Sequence, residues 1–402
     1  MKILFLSHRI PFPPDKGDKI RAFNVVRHLA EHHEVSVAAL IDDARDTRHV
    51  PQLESMVRRV LHARIHPRLD RALALRSALL GKPISCSYFY SRSLQRRLDR
   101  LIREEAFDAI VCSSSPMAEY LFRSTRTAEV GRALRVMDLI DIDSLKWAQY
   151  AQRASHWTRW IYRHEAHYLA LYEQRIARDF QHLLVVSEQE RALFPGGAVP
   201  NLLSMTNGVD LDFFSPAARS GGAGEPALVF TGVMDYWPNV EGVTWFTEDV
   251  LPLIRAAVPE VRFYIVGSRP NAAVQQLARH PGVTVTGFVQ DVRDYVARAA
   301  VCVVPLRIAR GIQNKVLEAM AMARPVVSTS EAFEGIQAKA GSDIVVARGA
   351  QEFATSVLEL LSNRPAAEEI GVRARACVEK NYAWSSTLGV LDRVLAQERP
   401  AA

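Results

Sequence analysis

Cysteine is scarce in this sequence: Cys86, Cys112, Cys302 and Cys377 are the four among 402 residues, and no two form a C-x-x-C pair. That spacing excludes a disulfide framework and a thiolate metal cluster. Small or apolar residues flank each cysteine, the setting expected of reduced, buried thiols in a cytoplasmic protein. Long hydrophobic runs are missing too. No stretch approaches the roughly 20 apolar residues that span a bilayer. Lys2 is followed by only Ile3, Leu4, Phe5 and Leu6 before Ser7 and His8, too little for a signal-peptide core, so the start reads as a β-strand. Glycine and proline stand at 20 each, and hydrophobic residues at 49% against 23% charged. Collagen-like and disordered classes are thereby excluded.

What remains is a globular chain long enough for two or three domains of about 150 residues. Its net charge of +6 is unevenly spread. Residues 1–200 carry 31 Lys+Arg against 23 Asp+Glu, residues 201–402 carry 19 against 21, and eleven of the twelve histidines lie in the first half. Such asymmetry predicts different partners for the two halves, with an anionic one for the first.

Apolar runs alternate with amphipathic stretches in both halves, the pattern of parallel α/β domains. Strands are predicted at 2–8, 34–40, 108–114, 134–140 and 182–187, with helices at 18–32, 91–105, 116–126 and 144–180. A Gly/Ser/Pro/Ala stretch at 215–226 reads as a linker. The alternation then restarts, with strands at 227–232, 261–267, 283–287, 301–305, 325–329 and 343–347. Two doubly wound domains in tandem imply a binding crevice formed by loops at the carboxyl ends of strands. Two domains with unrelated sites are the alternative.

The sharpest chemical signal is RIARGIQNKVLEAMAMARPVVST, residues 307–329. A strand ending at Pro305 leads through Gly311 into a helix beginning near Gln313. Lys315 and Glu318, three apart, share a face at its first turns. Free N–H groups and the positive dipole end there favour a phosphate. Lys315 adds positive charge, and Glu318 can accept hydrogen bonds from paired sugar hydroxyls. The competing reading is an exposed ion pair worth a few tenths of a kcal/mol.

The order of the surrounding segments resembles GT-B glycosyltransferases, specifically glycosyltransferase family 4. The match in LEAMAMARPVVST falls on Glu318, Ala319, Met320, Ala321, Pro325, Val326 and Val327. TNGVD (206–210), LVFTGVM (228–234), YIVGS (264–268) and VTVTGFVQDV (283–292) follow the family's landmarks in order. A subgroup is closer still: sugar transferases associated with PEP-CTERM/exosortase and exopolysaccharide systems, which SHRIPFPPDKGDKIRAFNVVRHL, DLIDIDSLKWAQYA and GVMDYWPNVEGVTWF resemble. The resemblance implies two Rossmann-like domains facing a central cleft. An acceptor-binding domain would span 1–212, a donor-binding domain 213–383, and a C-terminal helix within 384–402 would cross back. It implies donor contacts from Gly17, Gly232, Phe288, Val289 and Glu318, with Glu318 on the ribose and the backbone around Phe288 and Val289 on the base. Arg310, Gly311, Ile312, Gln313, Asn314 and Lys315, at the loop and helix start, are further donor-binding candidates from their charge and free N–H groups.

Two departures stand out. The family's paired glutamates are spaced E-x7-E, but Arg310 stands eight residues before Glu318. Its usual Arg…Lys phosphate pair after the donor-domain glycine is also absent, with Val233, Met234 and Asn239-Val240-Glu241-Gly242 in that region. Lys315 is expected to take over diphosphate charge, aided by Arg307 or Arg310. Asp138, Asp141 and Asp143 cluster where a strand meets a helix capped by Ser144. They are candidates for orienting or deprotonating an acceptor hydroxyl, or serve as helix N-terminal charges. Asp-x-Asp raises metal binding, but the resemblance implies none and hence an EDTA-insensitive reaction without a cofactor. HEAH (164–167) has i,i+3 rather than i,i+4 histidines and reads as a helix surface. His8 either faces the crevice or is structural.

Residues 51–100 carry eleven Lys+Arg against three Asp+Glu, and 156–177 adds two Trp and three Tyr among basic groups. Basic-aromatic helices suit an anionic bilayer surface, or form a merely solvated face. No nucleic-acid motif accompanies them. The expectation is a retaining, metal-independent glycosyltransferase at the cytoplasmic membrane face. It would move sugar from a UDP- or GDP-linked donor to a glycan or polyprenyl-linked acceptor. A nucleotide-sugar epimerase of the same fold, or a non-catalytic scaffold in a polysaccharide assembly complex, are the alternatives.

Overall fold

The computed structural model describes residues 1–66, 74, 77–78, 80–154, 156–216, 226–309 and 311–397. Most of the expected linker, and Arg310, lie outside them. The chain divides into two units, Met1–Thr206 with Leu388–Ala402, and Asn207–Thr387.

The first unit is built on seven parallel strands: β1 (Lys2–Ser7), β2 (Glu34–Ile41), β3 (Arg59–Arg64), β4 (Ala109–Ser113), β5 (Leu134–Ile140), β6 (His182–Val185) and β7 (Leu202–Ser204). Their order is β3-β2-β1-β4-β5-β6-β7. From Ile3 on, β1 is buried throughout, as is β4. Strands covered on both faces must be apolar at every position, which explains the continuous runs ILFL and AIVC. The helix Arg92–Glu104 buries Leu94, Leu98, Leu101 and Ile102, an i,i+3,i+4 stripe, against this core. Near the C-terminus, Asp392 of the helix Trp384–Gln397 meets His28 at 2.8 Å.

The second unit has six parallel strands: β8 (Ala227–Thr231), β9 (Arg262–Val266), β10 (Val283–Gly287), β11 (Val301–Val304), β12 (Val326–Thr329) and β13 (Val345–Ala347), in the order β10-β9-β8-β11-β12-β13. Phe246, Phe263 and Phe353 interlock in its core, with ring centroids 4.6 and 5.6 Å apart. Each sheet starts at its centre, grows to one side, then crosses to the other, so its topological switch point lies between β1 and β4, and between β8 and β11.

All eleven predicted strands are present, and β3 and β7 add to them. The single helix expected over 144–180 is two, Asp143–Arg153 and His156–Asp179, because the backbone becomes extended at Ala154. Cys86, Cys112 and Cys302 are buried as expected, but Cys377 is partly exposed. Among the described residues, no helix is long and apolar enough to cross a membrane.

Candidate functional site

At the switch point of the second unit, the chain leaves β8 through Gly232 into the helix Trp237–Trp245, and leaves β11 through Pro305 into the helix Asn314–Ala321. Gly311 turns the intervening loop with φ of +64°, a conformation glycine adopts without a Cβ penalty. Gln313 flanks the helix start with extended backbone and no side-chain cap, and its amide donates instead to the Gly311 carbonyl at 3.1 Å. The Gln313 side chain thus does not cap the first N–H groups of this helix. Asn314 is anchored by Asn207 Nδ2, 3.1 Å from its Oδ1. Ile312 is buried and packs the loop down.

Lys315 does not turn toward Glu318. Its Nζ donates to Asn239 Oδ1 at 2.7 Å and lies 4.7 Å from the centre of the Phe230 ring. Burial pushes the ammonium down to about 8, against the opposing pull of Glu318. Glu318 is pushed up to about 7 by the same burial, against the charge of Lys315. Asn239 is itself pinned, since its Nδ2 donates to the Val233 carbonyl at 2.9 Å. Gly232 faces it so closely that a Cβ there would sit 2.7 Å from Asn239 Nδ2. Asn239 therefore occupies the region where the sequence lacks the Arg…Lys pair. Arg307, expected as a helper, instead donates from Nε to Glu241 Oε1 at 2.8 Å and lies 5.2 Å from the Trp245 ring centre. Phe288 and Val289 follow β10 at the sheet edge, and Phe288 is 79% exposed.

In the first unit the acidic cluster separates into three different situations. Asp138 is buried and gripped by Arg21, with Nε to Oδ2 at 2.7 Å and Nη2 to Oδ1 at 2.9 Å. Arg21 also donates to the carbonyls of Met205 and Thr206 at 2.8 and 3.3 Å. This corrects the expectation that Asp138 meets an acceptor hydroxyl: both of its oxygens are committed to a buried guanidinium. Asp143 opens its helix and accepts from Ser115 Oγ at 3.0 Å. Ser144 is no cap, since its hydroxyl donates to buried Glu173, whose carboxyl burial raises to about 8. Asp141 is partly exposed, and burial raises its pKa above the ordinary value, opposed by Lys146 and supported by Asp143. It follows Ile140, which holds φ at +70°. That is an outlier for a β-branched residue, and strain of this kind gathers at sites where a side chain must be aimed.

Gly17 is the exposed first residue of the helix Gly17–His32. Behind it, His8 Nε2 lies 3.0 Å from Asp18 Oδ2, and Arg9 Nε donates to Asp42 Oδ2 at 2.8 Å. Burial opposes ionisation of Asp18, but His8 and Arg9 hold it well below the carboxylate range. HEAH is not wholly a surface: Glu165 is buried and accepts from the N–H groups of Ile84 and Ser85 at 2.6 and 2.9 Å. Among the described residues, no group of three His, Cys, Asp or Glu side chains is placed to hold a metal ion.

Arg21 and Asn239 are the two residues the sequence reading missed. Asn239 was visible only as an oddity in a place where a cation is usual.

Residues 225–363 match the family model described as Glycosyl transferases group 1. A 44.6 kDa protein of the cps region of Klebsiella pneumoniae is 22% identical over 397 residues, covering 95% of this chain and 96% of that protein. The crystal structure of HepE from Anabaena, in complex with UDP and glucose, superposes with a TM-score of 0.69 at 16% identity, covering 99% of this chain and 100% of that one. Sucrose-phosphate synthase from Thermosynechococcus elongatus gives 0.71 at 17% identity, covering 99% and 98%. Residues 225–363 are thus similar to a glycosyl transferases group 1 domain, in a chain whose two doubly wound sheets have the fold of GT-B glycosyltransferases.

Proposed function

We propose that this chain is a retaining glycosyltransferase that moves a sugar from a nucleotide-diphosphate donor to a glycan or lipid-linked acceptor in exopolysaccharide or cell-envelope glycan synthesis. The observation that carries the reading is the Lys315 ammonium held at the start of the Asn314–Ala321 helix, one turn before Glu318 and inside the matched domain. Charge that develops on a departing diphosphate is offset there by the ammonium and by backbone N–H groups, without a metal ion. Glu318 accepts from the ribose hydroxyls, and the backbone near Phe288 and Val289 meets the base. The UDP and glucose bound by HepE support a UDP-linked donor, and the cps-region relative supports a polysaccharide pathway. Asp141, partly exposed at the end of β5, is the carboxylate best suited to orient an acceptor hydroxyl.

Lys315→Ala should raise donor KM by about tenfold or more, the scale of a lost charged hydrogen bond, with the fold intact. Unchanged donor kinetics would remove Lys315 from the site. Turnover should survive EDTA, and NMR of the product should show the donor's anomeric configuration. Isomerisation of a UDP-sugar without acceptor would point instead to an epimerase, and the absence of nucleotide binding to a scaffold. Peripheral attachment to the inner face of an anionic membrane fits Trp160, 60% exposed, and exposed Arg163 on the helix His156–Asp179. Salt-sensitive binding to vesicles containing phosphatidylglycerol is the check.

A further inference from the structure

We propose that Asn239 is a positioning residue for Lys315, and that Gly232 exists to make room for it. The inference rests on the reading of Lys315 as the diphosphate's counter-charge and adds how that charge is aimed by a partner that carries no charge of its own. A lysine ammonium sits on a four-carbon stem with many rotamers, so ordering it costs entropy at the moment of binding unless something fixes it beforehand. Asn239 does so from a separate helix. Its Oδ1 accepts from Nζ at 2.7 Å, and its Nδ2 is fastened to the Val233 carbonyl at 2.9 Å. Both ends of the amide are thereby used, and its orientation is fixed. The side chain is buried, and the cradle closes against the bare Cα of Gly232, where a Cβ would lie 2.7 Å from Nδ2.

The chemistry of the partner is the second part of the argument. An aspartate could also hold the ammonium, but it would neutralise it and repel a phosphate. An amide oxygen orients the cation and leaves its charge whole. The Phe230 ring, 4.7 Å from Nζ, does likewise, since a π-face attracts a cation without carrying net charge.

The test is a double-mutant cycle on the full chain, with UDP and GDP affinity read by titration calorimetry and uridine and guanosine as phosphate-free controls. Asn239→Ala should weaken nucleoside-diphosphate binding about tenfold, as expected for a hydrogen bond to a charged group, and leave the nucleosides unaffected. In a Lys315→Met background, the same change should alter affinity less than about twofold, because the residue acts through the ammonium. Asn239→Asp should weaken binding at least as much as alanine, although it retains an acceptor oxygen. Gly232→Ala should reproduce Asn239→Ala by pushing the amide aside. Additive losses in the cycle, or Asn239→Asp binding like the wild type, would overturn the positioning role while leaving Lys315 in place. An unchanged affinity in Lys315→Met, or no binding of either diphosphate by the wild type, would overturn the underlying reading and this inference with it.

Discussion

Asp138→Asn separates a structural carboxylate from a catalytic one. The substitution keeps the shape of the side chain but removes its charge and turns one of two acceptor oxygens into a donor facing Arg21. The guanidinium is fully buried and donates to Asp138 at 2.7 and 2.9 Å and to the carbonyls of Met205 and Thr206. Losing one member of a buried ion pair costs about 3–5 kcal/mol, because the remaining charge is stranded out of water. In a unit of this size that corresponds to a fall of roughly 10 °C in Tm. Thermal and urea unfolding followed by circular dichroism would read it, with each transition fitted separately, since a chain of two units need not unfold in one step. The double variant Arg21→Met/Asp138→Leu removes both charges and should recover most of the loss. A variant Asp138→Asn that melts like the wild type yet no longer transfers sugar would refute the structural assignment.

Three further outcomes follow from the same geometry. With Glu318 raised to about 7 and Lys315 lowered to about 8, the binding-competent form has the carboxylate ionised and the ammonium charged; kcat/KM for the donor should rise through pH 7 and fall through pH 8, and Lys315→Arg should remove the alkaline limb. Glu173, raised to about 8 from 4.5, binds its proton more tightly folded than unfolded; its contribution to stability is complete below pH 4.5 and lost as pH rises to 8, and Glu173→Gln should flatten that part of the unfolding profile. Glu165→Ala should free the N–H groups of Ile84 and Ser85 and lower stability by about 1–3 kcal/mol, measured by denaturant titration, without altering donor KM.

Legibility in the sequence tracked how local each constraint is. Strands covered on both faces announce themselves, because every position must be apolar: VCVV of β11 and AIVCS of β4 are examples. The edge strand β3, RVLHAR, places Arg59 and Arg64 in solvent and reads as part of a basic helix. The three residues of β7 are too few to show a period. The Lys315–Glu318 pair was legible because helical spacing alone puts both on one face. The grip of Arg21 on Asp138 spans 117 positions and that of Lys315 on Asn239 spans 76, distances over which no periodicity carries information. Charge clustering at 138–143 marked the right loop, yet could not say that one aspartate is consumed by a buried arginine while another stays partly exposed.

Those two contacts show why a cation near the carboxyl end of a strand has no fixed meaning. Arg21 and Lys315 both rise from helices beside parallel strands, and both are fixed by side chains far away in sequence. Arg21 meets a carboxylate in fork geometry, so its charge is spent inside the fold and no anion from solution could reach it. The hydrogen-bond and ring partners of the Lys315 ammonium are an amide and an aromatic face, neither of which carries net charge, so they aim its field without adding to the pull of Glu318. A carboxylate in place of the Asn239 amide, hydrogen-bonded to Nζ in addition to the nearby charge of Glu318, would have made Lys315 a second Arg21, and the site would have lost the property that suits it to a diphosphate. The chemical class of the partner, rather than the cation or its place on the helix, decides which of the two is structure and which is available to a ligand.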